Sequence, residues 1–376
     1  MNPAEGAATE EQRLLFLGAE RKMPLNGSLE LSPLCNMDCE MCYVRLSKEE
    51  ASACGRLKTA DEWLQLAEQL KEAGVLFLLL TGGEPLLYPD FKRLFVSLRK
   101  MGFILTVNTN GTLLDEAWAD FFRENRPRRI NLTLYGTSDL AYQKLCHYPD
   151  GFEKALKSAR YLKDRGTDVR FSYSLTRENL SSLNAFFDLS EELGIPCSVD
   201  TYMMPVTRER NRPYALASRV SPEEAAACTL EIRRRACGSP EKFAGYCRDT
   251  LSSLEKAAAY INAHPSSKEP VPSSCLAGRC SFSVSWLGTL HPCVMLTHPE
   301  INVFETPFAE GWKILTEGMG SVYLNGTCAS CEKRLICEFC PAAALSETGD
   351  INKAPEYLCR YSEALVKLMK EILSDL

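Results

Sequence analysis

Six short apolar runs, each followed by an amphipathic helical pattern, constrain the fold of this chain more than any other feature. The helical patterns include WLQLAEQLKEAG at 63–74 and FEKALKSARYLKDRG at 152–166, and several of them stop at a glycine, as at Gly194. Strands that alternate with helices form βαβ units and a parallel sheet. Six units are too few for a closed eight-stranded barrel, so we expect a partial, open (βα)6 barrel of the α/β class, with ligands at the carboxyl ends of its strands. The expected strands are Ser28–Ser32, Val75–Leu80, Phe103–Asn108, Arg129–Leu134, Asp168–Leu175 and Cys197–Tyr202.

The alternation of strands and helices occupies one of four segments of the chain. We expect residues 1–24 to be an N-terminal tail, 25–204 to form the barrel, and 205–274 to be a helical connector rich in arginine. Residues 275–376 contain eight cysteines and end in an amphipathic helix over about Tyr361–Leu373. The connector is the stretch best suited to contact an acidic leader or substrate, although a solvated helical face is an equally good interpretation of its charges.

Cysteine is the unusual part of the composition, at 17 of 376 residues. An odd number of thiols cannot all pair within one chain, and disulfides need an oxidising compartment. The first residues, MNPAEGAATEEQR, lack the apolar core of a secretory signal, and the apolar run Val75–Leu80 is too short to cross a bilayer. The net charge is −6, whereas nucleic-acid-binding domains are basic. We therefore expect a cytoplasmic protein whose cysteines bind metal, with no membrane or nucleic-acid partner.

Three of these cysteines, Cys35, Cys39 and Cys42, stand directly after the first expected strand in the sequence CNMDCEMCY. A [4Fe–4S] cluster usually takes four thiolates, so three would leave one iron open. An open coordination position is typical of a catalytic metal site. A zinc loop that lacks its fourth ligand and a set of free buried thiols are the plainer alternatives.

The CxxxCxxC arrangement resembles the signature of the radical S-adenosylmethionine (SAM) enzymes, in which this loop follows the first strand of a partial (βα)6 barrel. The resemblance implies a cluster that donates one electron to SAM. Cleavage of SAM then gives methionine and a 5′-deoxyadenosyl radical, which abstracts a hydrogen atom from the substrate. Met41 occupies the family's apolar position near the adenine, although a core-facing methionine is as good an interpretation.

A second motif follows the next expected strand. Gly82, Gly83, Glu84 and Pro85 match the family's GGEP. Glycines at a strand end let the backbone approach a ligand closely. The resemblance implies that backbone groups here and the Glu84 carboxylate hold the ammonium group of SAM, whereas the motif taken alone could be an ordinary turn.

Weaker matches follow the third and fourth strands. The sequence NTNG places Asn108 and Asn110 where the family contacts SAM, although Asn-Gly is also a common turn. Thr133 matches a hydroxyl residue that binds SAM in many relatives, and Tyr135 stands where those relatives have aspartate.

The eight C-terminal cysteines are enough for two four-cysteine sites, and spacing alone does not separate zinc from iron–sulfur. With the first motif they resemble the SPASM extension of radical SAM enzymes, a small cysteine-rich α+β domain that binds two auxiliary [4Fe–4S] clusters. Gly288 lies five positions before Cys293, as in the SPASM pattern. Two residues separate Cys337 from Cys340, whereas that pattern has three. The resemblance implies three clusters in all. Its ligand sets are Cys275, Cys280, Cys293 and Cys340 for one auxiliary cluster, and Cys328, Cys331, Cys337 and Cys359 for the other.

The resemblance implies an enzyme that modifies a peptide or protein and receives electrons from a reductase such as flavodoxin or ferredoxin. We expect maturation of a ribosomally synthesised peptide by a crosslink, a thioether or an oxidation. Only 34 residues precede Cys35, so we expect no fused leader-binding domain. Val294 stands where sulfatase-maturing relatives have an acidic residue, which disfavours formylglycine formation. Dehydrogenation of a small alcohol or sugar, and a zinc or iron–sulfur scaffold or carrier, remain alternatives. Six cysteines stay unassigned and are expected to pack in the interior: Cys54, Cys146, Cys197, Cys228, Cys237 and Cys247.

Overall fold

The computed structural model of the chain describes residues 9–205, 208, 217–264 and 269–375. At its centre is a nine-stranded sheet, six strands of which form the expected parallel series. These strands are β1 Asn26–Glu30, β2 Phe77–Thr81, β3 Ile104–Thr109, β4 Arg129–Leu134, β5 Val169–Ser174 and β6 Cys197–Asp200. Each pairs in parallel with the next, as Asn26 does opposite Phe77. The six predicted strands are confirmed to within about two residues at each end.

Helices connect and cover these strands. They are α1 Glu10–Glu20, α2 Lys48–Cys54, α3 Ala60–Glu72, α4 Phe91–Lys100, α5 Glu116–Glu124, α6 Asp139–Cys146, α7 Gly151–Asp164 and α8 Leu183–Leu193. Helix α3 begins with a capping box, in which the Thr59 hydroxyl accepts from the Glu62 N–H and the Glu62 carboxylate accepts from the Thr59 N–H. Helix α8 ends at Gly194, whose φ of +56° is left-handed.

The strands alternate between apolar and polar side chains, and this alternation prepares the site. In β4, Ile130, Leu132 and Leu134 are fully buried in the main core, and Asn131 and Thr133 lie between them. Because successive residues of a strand point to opposite faces, the polar set faces the inside of the open barrel. The interior is therefore polar near the carboxyl ends of the strands.

Three strands of the cysteine-rich region extend the same sheet beyond β1. A short strand β7, Val271–Pro272, comes first in the chain and pairs separately with β11, Tyr323–Leu324. The three that extend the sheet are β8 Ser281–Val284, β9 Thr289–His291 and β10 Ile301–Asn302. Strand β8 pairs in parallel with β1, and β9 and β10 follow as antiparallel neighbours. Backbone hydrogen bonds therefore join this region directly to the barrel.

The remaining helices are α9 Pro222–Cys237, α10 Pro240–Ala263, α11 Phe308–Met319, α12 Gly326–Ala329, α13 Pro341–Thr348 and α14 Glu356–Ser374. Helix α14 includes the predicted terminal helix and begins earlier, after Pro355. It packs on α9, where the hydroxyls of Thr229 and Tyr361 lie 2.9 Å apart. Much of the arginine-rich stretch of the connector, 206–207 and 209–216, lies outside the described residues. Within the described ranges, the structure contains no helix with the length and apolarity needed to cross a membrane.

Candidate active site

A cavity of about 680 Å³ lies at the carboxyl ends of the barrel strands. Its wall includes Cys35, Cys39 and Cys42 from the loop after β1, and Gly82 and Gly83 from the loop after β2. The C-terminal region contributes side chains to the wall of the cavity, including Met295, Glu338 and Cys340. The three-cysteine loop, the glycine motif and one C-terminal cysteine therefore share one space.

The three-cysteine loop is held by its own backbone. The N–H groups of Asp38 and Glu40 donate to the carbonyls of Cys146 and Leu145, at 3.0 and 2.9 Å. The N–H of Met37 donates to Cys35 Sγ at 3.4 Å. A second N–H, that of Arg45, donates to Cys42 Sγ at 3.3 Å. Such donors stabilise sulfur in its charged form.

Burial raises the pKa of Cys35 to about 12, so this thiol is protonated at neutral pH when no metal is bound. Metal binding at the loop must therefore release a proton from it.

The glycine motif lies directly against the cysteine loop. The Gly83 N–H donates to Ser32 O at 2.7 Å, and the Glu84 N–H donates to Leu34 O at 2.9 Å. A Cβ at Gly82 would lie 2.4 Å from Ser32 O, and one at Gly83 would lie 2.4 Å from Leu34 O. Only glycine fits this backbone contact, because a methyl group at either position would push the two loops apart.

Replacement of Gly83 by alanine is expected to lower both iron retention and SAM cleavage by at least about tenfold, because the clash is with backbone that carries Cys35. Iron analysis and 5′-deoxyadenosine formation after anaerobic reconstitution measure the effect. Gly245→Ala in α10 is the matched control, since no atom lies within 4 Å of the added methyl group. A Gly83→Ala enzyme as active as this control would show that the loop contact is dispensable.

The Glu84 carboxylate, expected to hold the SAM ammonium, is directed toward the loop after β3 and does not line the cavity. It is fully buried, with Oε1 accepting from the Leu86 N–H at 3.1 Å and Oε2 from the Asn110 N–H at 2.8 Å. The Thr109 hydroxyl lies 2.9 and 3.0 Å from the two oxygens. Burial raises the pKa of Glu84 to about 7 in spite of these donors. Neither Glu84 nor Pro85 lines the cavity, so the carboxylate instead fixes the loop after β3.

The other expected SAM contacts do line the cavity: Met41, Asn108, Asn110 and Thr133. The Asn110 amide donates to Asn36 Oδ1 at 3.0 Å and lies 3.7 Å from Cys35 Sγ. Its own oxygen accepts from the Thr112 N–H at 2.9 Å. Asn110 therefore joins the loop after β3 to the cysteine loop, a positioning role that the Asn-Gly pattern alone does not indicate.

A second pocket, of about 370 Å³, contains the four cysteines expected for one auxiliary site: Cys328, Cys331, Cys337 and Cys359. Burial raises the pKa of Cys337 to about 11, and the charges of the other three thiols add to this effect. The structure thus brings together residues 31 positions apart in the chain, from α12, the loop after it and the first turn of α14.

The other expected set is only partly assembled. Cys275 and Cys293 lie close enough to Cys340 that its charge raises both of their pKa values, after the larger effect of burial. Cys280 does not join them and packs against Ala19 and Leu25 in a small apolar cluster. Its sulfur faces α1 because Cys280 directly precedes β8, whose first residue pairs with the first residue of β1. Across the described residues, no three His, Cys, Asp or Glu side chains converge on the position of a single metal ion.

Substitution of Cys275 and of Cys280 should therefore have different results. We expect Cys275→Ala to lose about four iron atoms per chain, the content of one cluster, whereas Cys280→Ala keeps them. Iron and sulfide analysis of the two reconstituted variants measures the difference. Equal losses in both variants would contradict the separation of Cys280 from the other three cysteines.

Sequence reasoning missed the far wall of the cavity, which includes Asp200, Tyr202 and Glu338. Asp200 ends β6, a position that the predicted strand could have indicated, whereas no pattern in the sequence indicates Glu338. The Tyr202 hydroxyl donates to Glu347, and Arg219 pairs with the same carboxylate at 2.7 Å. This side of the cavity is therefore held by a network that joins the connector to α13.

The sequence model described as the radical SAM superfamily matches residues 29–190, which contain both the cysteine loop and the glycine motif. Residues 29–190 are a radical SAM domain. The chain is 24% identical to the AdoMet-dependent heme synthase of Nitratidesulfovibrio vulgaris, over 88% of this chain and 91% of that protein. It is 25% identical to the PqqA peptide cyclase of Granulibacter bethesdensis, over 88% and 85%. The fold matches Streptococcus suis SuiB bound to S-adenosylmethionine with a TM-score of 0.66 and 17% identity, covering 93% of this chain and 81% of that one.

The described residues fit the cofactors that a radical SAM enzyme uses. Three thiols on one loop, two of them receiving backbone N–H groups, suit a cluster with an open iron. The glycines that line the adjacent wall leave backbone groups free of side-chain cover, which suits a small ligand lying beside that iron.

Proposed function

We propose that this radical SAM enzyme modifies a ribosomally synthesised peptide. The observation that carries the proposal is the single cavity that extends from Cys35, Cys39 and Cys42 to Cys340. A peptide side chain in this space lies between the SAM end and an auxiliary cysteine group. Similarity to PqqA peptide cyclases supports a peptide substrate, and a SuiB chain of the same fold was solved bound to the precursor peptide SuiA.

When bound at these residues, a [4Fe–4S] cluster and SAM would supply the radical chemistry that removes a hydrogen atom from the substrate. The chain's own residues position the reactants. Asn110 and Glu84 fix the loops, the two glycines give SAM backbone contact, and Thr133 lines the wall beyond them. Met295 and Leu358 add apolar surface to the wall of the same cavity.

We further propose two auxiliary [4Fe–4S] clusters, three clusters in all. Cys328, Cys331, Cys337 and Cys359 hold one of them. The other uses Cys275, Cys293 and Cys340, and the position of Cys280 supports a three-cysteine site. The proposed domain division keeps the barrel at 25–204, the connector at 205–274 and the SPASM region at 275–376. A reductase such as flavodoxin or ferredoxin, in a reducing compartment such as the cytoplasm, supplies the electrons.

Chemistry on a porphyrin is the second candidate, because several relatives are named AdoMet-dependent heme synthase. Deuterium transfer separates the two. The reconstituted enzyme receives SAM, a reductant and one labelled compound: deuterated synthetic peptides encoded beside its gene, or deuterated Fe-coproporphyrin III. Deuterium in 5′-deoxyadenosine from a peptide is the expected result. Transfer from the porphyrin alone would overturn the proposal, and a labelled sugar tests the alternative of alcohol oxidation in the same way.

A further inference from the structure

One arginine of the connector has its side chain buried between the barrel and the cysteine-rich region. The side chain of Arg208 is 4% exposed, and that of its partner Glu30 is 1% exposed. The two nitrogens Nη1 and Nη2 donate to the two oxygens of Glu30, at 2.8 and 2.9 Å. Glu30 is the last residue of β1, the strand that leads into the cysteine loop. Arg208 is therefore engaged inside the protein and is not open to an acidic leader or substrate.

The same guanidinium group also holds the loop after β9. Its Nη1 donates to the Val294 carbonyl at 3.0 Å. Val294 directly follows Cys293, and the next residue, Met295, lines the cavity. Because the N–H groups of a guanidinium form a rigid, planar fork, one arginine can fix the positions of Glu30 and Val294 relative to each other.

A third contact of Arg208 reaches the cysteine loop. Its guanidinium carbon lies 5.0 Å from the centroid of the Tyr43 ring, within the range of a cation–π interaction. Tyr43 directly follows Cys42 and lines the cavity. One side chain therefore contacts the neighbour of Cys42 and the neighbour of Cys293, which belong to the two groups of cysteines on either side of the cavity.

The turn at 293–296, which carries Cys293, is otherwise held mainly by itself. The N–H of Met295 donates to Cys293 Sγ at 3.2 Å, and the N–H of Leu296 donates to the Cys293 carbonyl at 3.1 Å. Leu296 anchors the end of the turn in the main core. Within the part of the chain that the structure describes, Arg208 supplies the one hydrogen bond that reaches this turn from another segment.

We propose that Arg208 is a positioning residue of the active site, which holds the turn at 293–296 against the end of β1 and the cysteine loop. The inference rests on the proposed function, in which the substrate lies between the SAM end of the cavity and an auxiliary cysteine group. An apolar pair could replace a buried ion pair without loss of stability, but it could not direct an N–H group to the Val294 carbonyl. A displacement of about 1 Å at a reacting group can lower a rate about a hundredfold, so a fixed turn matters for the reaction.

Three variants separate positioning from charge compensation. Arg208→Met alone leaves Glu30 buried without its cation, which lowers stability whatever the role of the arginine. Arg208→Lys keeps the charge but lacks the planar fork, and Arg208→Met combined with Glu30→Gln removes both charges. Arg234→Met is the matched control, since Arg234 is also a connector arginine paired with a carboxylate, but its side chain is 55% exposed.

Hydrogen exchange and deuterium transfer in the reconstituted, SAM-loaded enzyme measure the effect. In Arg208→Lys and in the double variant, we expect the amides of 293–296 to exchange at least about tenfold faster. With the deuterated peptides described above, the fraction of 5′-deoxyadenosine that carries deuterium should fall at least about fivefold, while its formation without peptide stays within about twofold. Arg234→Met should change none of these quantities.

Full protection of 293–296 in Arg208→Lys or in the double variant would overturn the inference, because charge compensation alone would then account for Arg208. Faster exchange with an unchanged deuterium fraction would also overturn it, since the turn would then be held without consequence for the reaction. Failure of the proposed function is a different result, in which the unmodified enzyme takes no deuterium from any peptide. The exchange measurement needs no substrate and is independent of that outcome.

Discussion

Replacement of Cys39 by alanine is expected to abolish SAM cleavage, with 5′-deoxyadenosine falling at least about a hundredfold. Cys39 is buried on the cavity wall between Cys35 and Cys42. The loop that carries these thiols is fixed by backbone hydrogen bonds to residues 145 and 146, so removal of Cys39 leaves Cys35 and Cys42 as the two remaining thiols at this position. With the three clusters proposed above, iron should fall from about twelve to about eight atoms per chain, because none of the proposed auxiliary ligands belongs to this loop. Chromatographic assay of 5′-deoxyadenosine and iron analysis measure the two effects.

Cys54→Ala is the control for Cys39→Ala. Cys54 is exposed at the end of α2 and does not line the cavity, so its removal changes neither iron nor 5′-deoxyadenosine. Cys146→Ala is a stricter control than Cys54→Ala, because Cys146 is buried like Cys39 and its backbone carbonyl accepts a hydrogen bond from the cysteine loop. A Cys39→Ala enzyme that still cleaves SAM would remove the basis for placing the radical chemistry at this loop.

The barrel could be predicted because its signals are local and repeated. The run RINLTL of β4 has alternating apolar residues, and the helical pattern at 152–166 stops at a glycine. The extension of the sheet by β8 could not be predicted, because strand β8 follows β1 by some 250 residues and nothing in SFSV specifies a partner. The helix over Glu10–Glu20 was hidden in a polar sequence, and it begins with a capping box between Thr9 and Gln12.

The candidate site likewise has features that the sequence predicts and features that it does not. The spacing in the sequence places Cys35, Cys39 and Cys42 on one loop. Gly82 and Gly83 are needed because their backbone contacts that loop, and the GGEP motif predicts these two glycines. The direction of the Glu84 side chain depends on Thr109 and Asn110, residues from another strand, so the motif could not give it. Cys280 shows the limit of counting ligands. Its place in the spacing suggests a fourth thiolate, whereas the pairing of β8 with β1 turns its sulfur toward α1.

Replacement of Cys337 by alanine should remove the cluster proposed for the four-cysteine pocket while leaving SAM cleavage intact. We expect a loss of about four iron atoms per chain, with 5′-deoxyadenosine formation in the absence of substrate within about twofold of the unmodified enzyme. The reason is that Cys337 lines the pocket with Cys328, Cys331 and Cys359, and it does not line the cavity of the cysteine loop. Because Cys359 belongs to α14 and Cys328 to α12, loss of the cluster should also weaken the packing of this region. Faster hydrogen exchange over 326–374 measures that loosening.

Cys237→Ala, a half-buried cysteine at the end of α9 that lines neither space, is the control for Cys337→Ala and should keep its iron and its exchange rates. The result that would contradict the proposal is a Cys337→Ala enzyme that loses SAM cleavage as completely as Cys39→Ala, because the two cysteine groups would then act as one site. Retention of all iron would contradict it differently, by showing that the four thiols hold no cluster. Cys39 and Cys337 line two different cavities, so we expect SAM cleavage to be lost in Cys39→Ala and kept in Cys337→Ala. This pair of variants therefore tests whether the two groups of cysteines act as separate sites.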